Sequence, residues 1–375
     1  MTQYGERMEL RNYWWLLIWM FLFGAVSLAF IPRREEIVLG HPRIRWGKLS
    51  AAILAIPYVI WAGWRPDSFG DTGMYRMIFN RIPTGLANLW PFVSSNSKDR
   101  GFAFVEYLIK TIISEDSVVF FLIIAAIQIY ILVRIYRKYS ENYWLSMFLF
   151  VASADYLAWV HNGMRQFLAV TIIFAALPLL LRRQYFWMVL VVLLASLVHA
   201  SALIFLPFIF LVNGKAWNFR TMLFIIAIVV SVYFLDVVTG LITNALEDTV
   251  YEVDAVYIDQ NVGEGTNIFR VLFYSVPTIL SLVFRRRIEE ADDPLINLCV
   301  NLSVVSAGFY VFSFFTSGLI VGRIPIYFSL ANYILIPWLI QELFGPQSAL
   351  LVEGGVVAVY SYYFYYQAGV TWKIL

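Results

Sequence analysis

The sequence predicts an all-α fold: a polytopic helical membrane protein of about twelve spans (10–13). Three observations carry this reading. Of the 375 residues, 61% are hydrophobic and 18% aromatic. Only 14% are charged, where a soluble domain carries about 25%, so there is too little polar surface to cover a fold in water. The apolar residues fall in separated runs, most of them of about 16 to 21 residues, each long enough to cross ~30 Å of hydrocarbon as a helix. An ordinary soluble enzyme is excluded. The single cysteine, Cys299, leaves no intrachain disulfide and no cysteine metal site, and three histidines leave little for a histidine cluster. A net charge of +2 gives no sign of a nucleic-acid partner, so the distribution of charge carries the information.

In chain order the runs lie near 13–31, 49–64, 117–134, 143–160, 165–181, 185–199, 201–213, 221–240, 269–284, 295–315, 324–343 and 348–366. The first is too long and too far into the chain for a cleaved signal peptide. It also lacks a small-residue cleavage site before Ile31-Pro32-Arg33-Arg34, and is read as a retained span. Basic residues collect in alternate connections: Arg33, Arg34, Arg43, Arg45 and Lys48; Arg134, Arg137 and Lys138; Arg182 and Arg183; Lys215 and Arg220; Arg285, Arg286 and Arg287. Positive charge marks the cytoplasmic side, which leaves the amino terminus, segments 65–116 and 161–165, the short break at His199, segment 241–268 and the turn ending at Arg323 outside.

Residues 1–375 are read as a single integral membrane domain with two long outer loops. In the first, 65–116, apolar residues recur at helical spacing from Gly101 to Ile113 and Glu106 precedes Lys110 by four, the spacing of a helical ion pair, so 101–113 reads as an amphipathic helix lying on the outer interface. In the second, 241–268, Glu247, Asp248, Glu252, Asp254, Asp259 and Glu264 appear with no Lys or Arg before the span, which reads as an acidic outer lid or simply a solvated loop.

A chain that avoids charge shows its working residues where ionisable groups stay at span ends, since each costs about 2.5–3.5 kcal/mol at mid-bilayer depth. The first group runs from Arg65 to Tyr75. It sets Asp67 and Asp71 four apart and Tyr75 four further on, so the three share a face if the segment is helical. A carboxylate here suits proton removal from a hydroxyl beside an arginine for an anion; a loop tied by an Arg-Asp pair is the structural alternative. The second group is His161-Asn162-Gly163-Met164-Arg165-Gln166, where Arg165 opens a helix whose free N–H groups add to its guanidinium. A snorkelling arginine is its alternative. The third is Ala195-Ser196-Leu197-Val198-His199-Ala200-Ser201, inside an apolar stretch from 185 to 212 that is too long for one span and too short for two. Its small residues fit a break lining a cavity or close helix packing. Arg323 is a lone cation entering the eleventh run, suited to a phosphate contact or a headgroup anchor. No P-loop, G-x-G-x-x-G or H-E-x-x-H run is present, which excludes an ATP-driven pump acting alone.

Four stretches, in order, resemble the EpsG family of Wzy-like exopolysaccharide polymerases: Asp67 to Tyr75, Arg100-Gly101-Phe102 with Glu106, Asn162 to Ala169, and Leu194 to Ala202. The third contains N-x-x-R-Q-x-x-A and the fourth, about thirty residues on, A-S-x-x-H-x-S-A. The resemblance covers about residues 50–345 and departs at Asp67-Ser68, where the family often has D-Y, so the corresponding carboxylate is open.

It implies a GT-C-like glycosyltransferase in the bacterial inner membrane, with its active site facing the periplasm or cell exterior. The enzyme would join polyprenyl (undecaprenyl) diphosphate-linked oligosaccharide repeats and release polyprenyl diphosphate, with no cofactor and no metal. Arg65, Arg165 and Arg323 are the expected diphosphate contacts, and Asp67, Asp71 or His199 the proton acceptor. Tyr75, Glu106, His161, Asn162 and Gln166 are expected to orient sugars or arginines. The implied partners are the lipid bilayer and a flippase and chain-length regulator of the same pathway. A lipid-linked oligosaccharide flippase and an outer-face glycan ligase are the competing functions.

Overall fold

A computed structural model describes residues 8–96, 98–246, 264–318 and 320–374, with the side chains at 28, 29 and 242–246 outside that description. The chain is a helical membrane protein. Three of its described helices are long and apolar enough to cross a membrane, Ser117–Tyr139, Met164–Leu181 and Pro294–Phe315, or up to seven spans if each of four bent pairs is counted once. Shorter apolar helices cover Trp14–Ser27, Lys48–Gly63, Tyr185–Val198 and Ala200–Leu211. Many of the expected runs are therefore interrupted or short. The run 143–160 is broken between Tyr143–Ala152 and Tyr156–Asn162 with a 70° bend, around Ala154 at φ 68°. The stretch 185–212 does break where the small residues sit: its helix ends at Val198, and tighter 3-10 turns run from Ala200 to Phe205.

The chain divides into two compact units. The first holds residues 1–175, 197–199 and 344–375. It begins with α1 (Trp14–Phe30), whose first N–H is capped by Asn12 Oδ1 at 3.1 Å. A two-stranded antiparallel ribbon follows, β1 (Arg33–Val38) and β2 (His41–Trp46), in register from Arg33↔Trp46 to Val38↔His41. This departs from the all-α expectation. Its two-residue turn puts Leu39 at φ 52° and Gly40 at φ 88°, a backbone that matches strand twist. Next come α2 (Lys48–Gly63), α3 (Thr72–Arg81), α4 (Leu89–Ser95) and α5 (Arg100–Leu108), the last continuing as a wider π-helical turn over Ile109–Ile113. The unit then runs through α6 (Ser117–Tyr139), α7 (Tyr143–Ala152), the π-helical segment Tyr156–Asn162 and α8 (Met164–Ala175).

α6 is the spine of this unit, packed against α2 and α8. Asp116 Oδ1 caps it at 2.9 Å from the Val118 N–H, and Phe120, Phe121 and Ile124 are fully buried. At its other end Arg137 donates to both Glu36 oxygens at 2.8 and 3.0 Å and to the Trp46 carbonyl at 2.8 Å. Glu141 takes Arg43 and Arg45 at 2.5 and 3.5 Å. Two of the ribbon's cations, Arg43 and Arg45, thus pair just beyond the helix end.

The second unit, 176–196 and 200–343, is built on Pro294–Phe315, started by Pro294 after an Asp293 cap at 2.8 Å. Its polar residues are held locally. Asn301 Nδ2 donates to the Val212 carbonyl at 2.9 Å, Thr278 and Ser303 share a hydroxyl bond of 2.7 Å, and Tyr274 stacks on Tyr310 at 4.8 Å. Of the acidic outer loop, Glu247, Asp248, Glu252, Asp254 and Asp259 lie outside the described residues; Glu264 accepts the Gly318 N–H at its carbonyl, 3.0 Å.

Candidate functional site

The first unit brings the leading polar groups of the sequence together. After α2, Arg65 turns inward and is 1% exposed. Its Nη1 donates to the Val160 carbonyl at 2.8 Å, and its guanidinium lies 4.0 Å from the Phe121 ring centroid. Burial pulls its pKa down to about 10, so it stays cationic at neutral pH. The loop that follows closes on itself through Phe69 N–H to Pro66 O (3.1 Å) and Gly73 N–H to Asp67 O (3.2 Å) before α3 starts at Thr72. The Arg-Asp pair raised by the sequence exists, with Arg76 as the cation: its Nε stands 2.9 Å from Asp67 Oδ1. Asp71 is half-buried at the head of α3, and Tyr75 is buried one turn along.

The second group begins at the end of the π-helical segment Tyr156–Asn162, a wide turn that often marks functional sites, and continues into α8. His161 is completely buried in an aromatic nest, with ring centroids of Tyr156, Phe69 and Tyr13 at 4.8, 5.1 and 5.6 Å. Asn162 points the other way, into the first loop, where its Oδ1 accepts the Asp71 N–H at 2.9 Å. Gly70 makes room for it: the backbone there is left-handed (φ 50°), and a Cβ would collide with the Asn162 side chain. One residue past Gly163, α8 begins, and its second residue, Arg165, lies beside Tyr75 with its guanidinium carbon 5.7 Å from the ring centroid. Gln166 is buried next to it.

α5 completes the cluster. Asp99 caps it in a left-handed conformation (φ 54°) and pairs with Arg165 Nη1 at 3.1 Å. Glu106, two turns on, is buried; desolvation pushes its carboxyl up to about 8, with Arg165 pulling it down and Asp99 pushing it further up. The expected pair with Lys110 does not form. The helix widens at Ile109, and Lys110 Nζ donates to the Phe79 and Asn80 carbonyls at 2.8 and 2.7 Å, the negative end of α3. Near its start, Gly101 packs so closely on residue 197 that a Cβ would stand 2.8 Å from the Leu197 backbone. The segment carrying His199 therefore lies against α5, and His199 is half-buried at the break. Arg323 belongs to the second unit, exposed at the end of the 3-10 turn Val321–Arg323.

Two residues that the sequence did not single out hold the arrangement, Arg76 and Asp99. Asp99 precedes a run of helical periodicity and is readable as a cap. Its pairing with a side chain 66 positions away is not. Among the described residues no group of three or more His, Cys, Asp and Glu could hold a metal ion.

What the cluster offers is a half-exposed arginine at a helix start, carboxyl groups beside it and tyrosine behind it. A family model for the EpsG family matches residues 48–371, which takes in every part of this cluster. The chain belongs to the EpsG family. No curated protein and no solved structure matches it. Membership makes it a Wzy-like polymerase at the family level, and the match runs further at both ends than the motifs alone suggested, through the helix Pro346–Phe364.

Proposed function

We propose that the protein joins oligosaccharide repeat units carried on polyprenyl diphosphate at the outer face of the bacterial cytoplasmic membrane, transferring the growing chain onto a fresh unit and releasing polyprenyl diphosphate. The observation that carries this is the convergence on Arg165: Asn162 ties its turn to the loop of Asp67 and Asp71 at 2.9 Å, Tyr75 backs it at 5.7 Å and Asp99 holds it at 3.1 Å. A diphosphate leaving group needs a cation where its charge develops, and Arg165, with 38% of its side chain exposed, is reachable while Arg65 is not. In this reading Asp99 occupies the guanidinium until diphosphate displaces it. Arg65 supports the turn from beneath through Val160, and a carboxylate of the cluster takes the acceptor proton. Arg323 is proposed as a second diphosphate contact, His199 as the alternative proton acceptor, and Asn162 and Gln166 as groups that orient sugars.

The reading includes a GT-C-like arrangement of about twelve spans in a single integral membrane domain. α5 then lies at the outer interface, catalysis proceeds without metal, and a flippase and chain-length regulator act alongside. Arg165→Ala is expected to abolish polymer in cells while the protein stays at normal level in the membrane; Arg165→Lys, which keeps charge and loses the fork, is expected to retain only a few per cent. Unchanged polymer in Arg165→Ala cells would remove Arg165 from the site.

A further inference from the structure

We infer that Glu106 is the catalytic residue that takes the proton from the acceptor sugar hydroxyl. The assignment rests on the polymerase reading above. Glu106 lies two turns into α5 from Asp99, the left-handed residue at the head of the helix, with buried Ala103 between them. A buried carboxylate ordinarily has a cation or N–H partner. Here the nearest cation along the helix, Lys110, is drawn to the carbonyl end of α3, and among the described residues Glu106 makes no ion pair. It is left on a helix instead of a loop, close enough to Arg165 for the two charges to act on one another.

The competing carboxylates are less suited. Asp67 is engaged by Arg76 at 2.9 Å and is largely exposed. Asp71 sits on the loop with its backbone fixed by Asn162. Burial pushes the Glu106 carboxyl up to about 8, which suits it to take a proton once ionised.

In the step, an acceptor hydroxyl oxygen forms the new bond to the donor's anomeric carbon while its proton passes to the Glu106 carboxylate. The bond from that carbon to the diphosphate oxygen breaks, and its electron pair leaves with the diphosphate, whose charge Arg165 meets. Glu106 then returns the proton to water. The charged groups acting on it are Arg165 from α8, which favours ionisation, and Asp99 from its own helix, which opposes it. α4, packed on α5, carries no ionisable side chain; the segment against the start of α5 carries His199, and Tyr75 of α3 faces Arg165.

The test follows extension of a polyprenyl diphosphate-linked repeat unit by purified protein from about pH 5.5 to 9.5, together with binding of that unit. Wild-type single-turnover rate is expected to climb with pH, to reach half its maximum near 8 and to level off above about 9, since the base works ionised. Glu106→Gln, the same shape as the protonated carboxyl, is expected to bind the unit as the wild type does, to turn over at least about 100-fold more slowly and to lose the pH limb, with Glu106→Asp restoring part of both. Glu106→Gln within about threefold of wild type, a surviving pH limb, or binding lost in step with turnover would overturn the assignment. Absence of any ladder from the wild type would instead overturn the polymerase reading itself.

Discussion

Two arginines of the cluster look alike in sequence and differ in what surrounds them. Arg65 spends its guanidinium on Val160 O and the Phe121 face, inside the fold; Arg165 meets Asp99 at a half-open edge. Arg65→Ala is therefore expected to lower stability by about 2–4 kcal/mol, leaving a carbonyl unpaired and a void, whereas Arg165→Ala is expected to leave it within about 1 kcal/mol. Thermal unfolding in detergent of the two variants reads the difference, and equal losses would remove the distinction. Asn162 and Gly70 form a matched pair. Gly70→Ala forces a side chain into a left-handed backbone and against Asn162, so polymer yield is expected to fall sharply with the protein still in the membrane. The motifs carrying these residues were legible because charge is rare near spans. Which arginine would be buried was not, because that depends on Phe121 and Val160, two apolar residues with no distinguishing mark in the sequence.

At the scale of elements, the long apolar runs were readable and their interruptions only partly so. Pro57 and Pro277 announce themselves inside helices, and both helices still hold. The sharp bend after α7 has no proline or glycine, and turns on Ala154 at φ 68°. The ribbon of β1 and β2 escaped notice because its alternation is short and half charged, and because the partners that order it, Arg137 and Glu141, lie about a hundred residues on. Its anchorage has a pH signature. The Arg137 guanidinium holds the Glu36 carboxyl below its usual value. That contribution is present above the ordinary carboxylate pKa of about 4.3 and fades as pH falls through the lower, folded value. Arg137→Ala is expected to speed amide exchange in 33–46 at neutral pH by about tenfold or more, and acid is expected to do the same to the wild type. Unchanged protection in both would show that the ion pairs do not anchor the ribbon.

For the whole molecule, composition sufficed to show a helical membrane protein, and the charge pattern supplied an orientation that can be measured. Cys299, the only cysteine, is buried in the helix Pro294–Phe315 and gives a quiet background for labelling. Ser68→Cys is expected to react with a membrane-impermeant maleimide in intact cells, and Arg34→Cys only after the membrane is opened; the reverse would invert the proposed topology. The central claim is that this chain alone lengthens lipid-linked glycans. Its most direct test supplies purified protein in nanodiscs with a polyprenyl diphosphate-linked repeat unit, with chelator and without nucleotide sugar or ATP, and follows product length by gel or mass spectrometry. A ladder of repeats, with one free polyprenyl diphosphate released per bond made, is the expected result. Lipid carried across a vesicle with no ladder, or a single transfer to another acceptor, would contradict it.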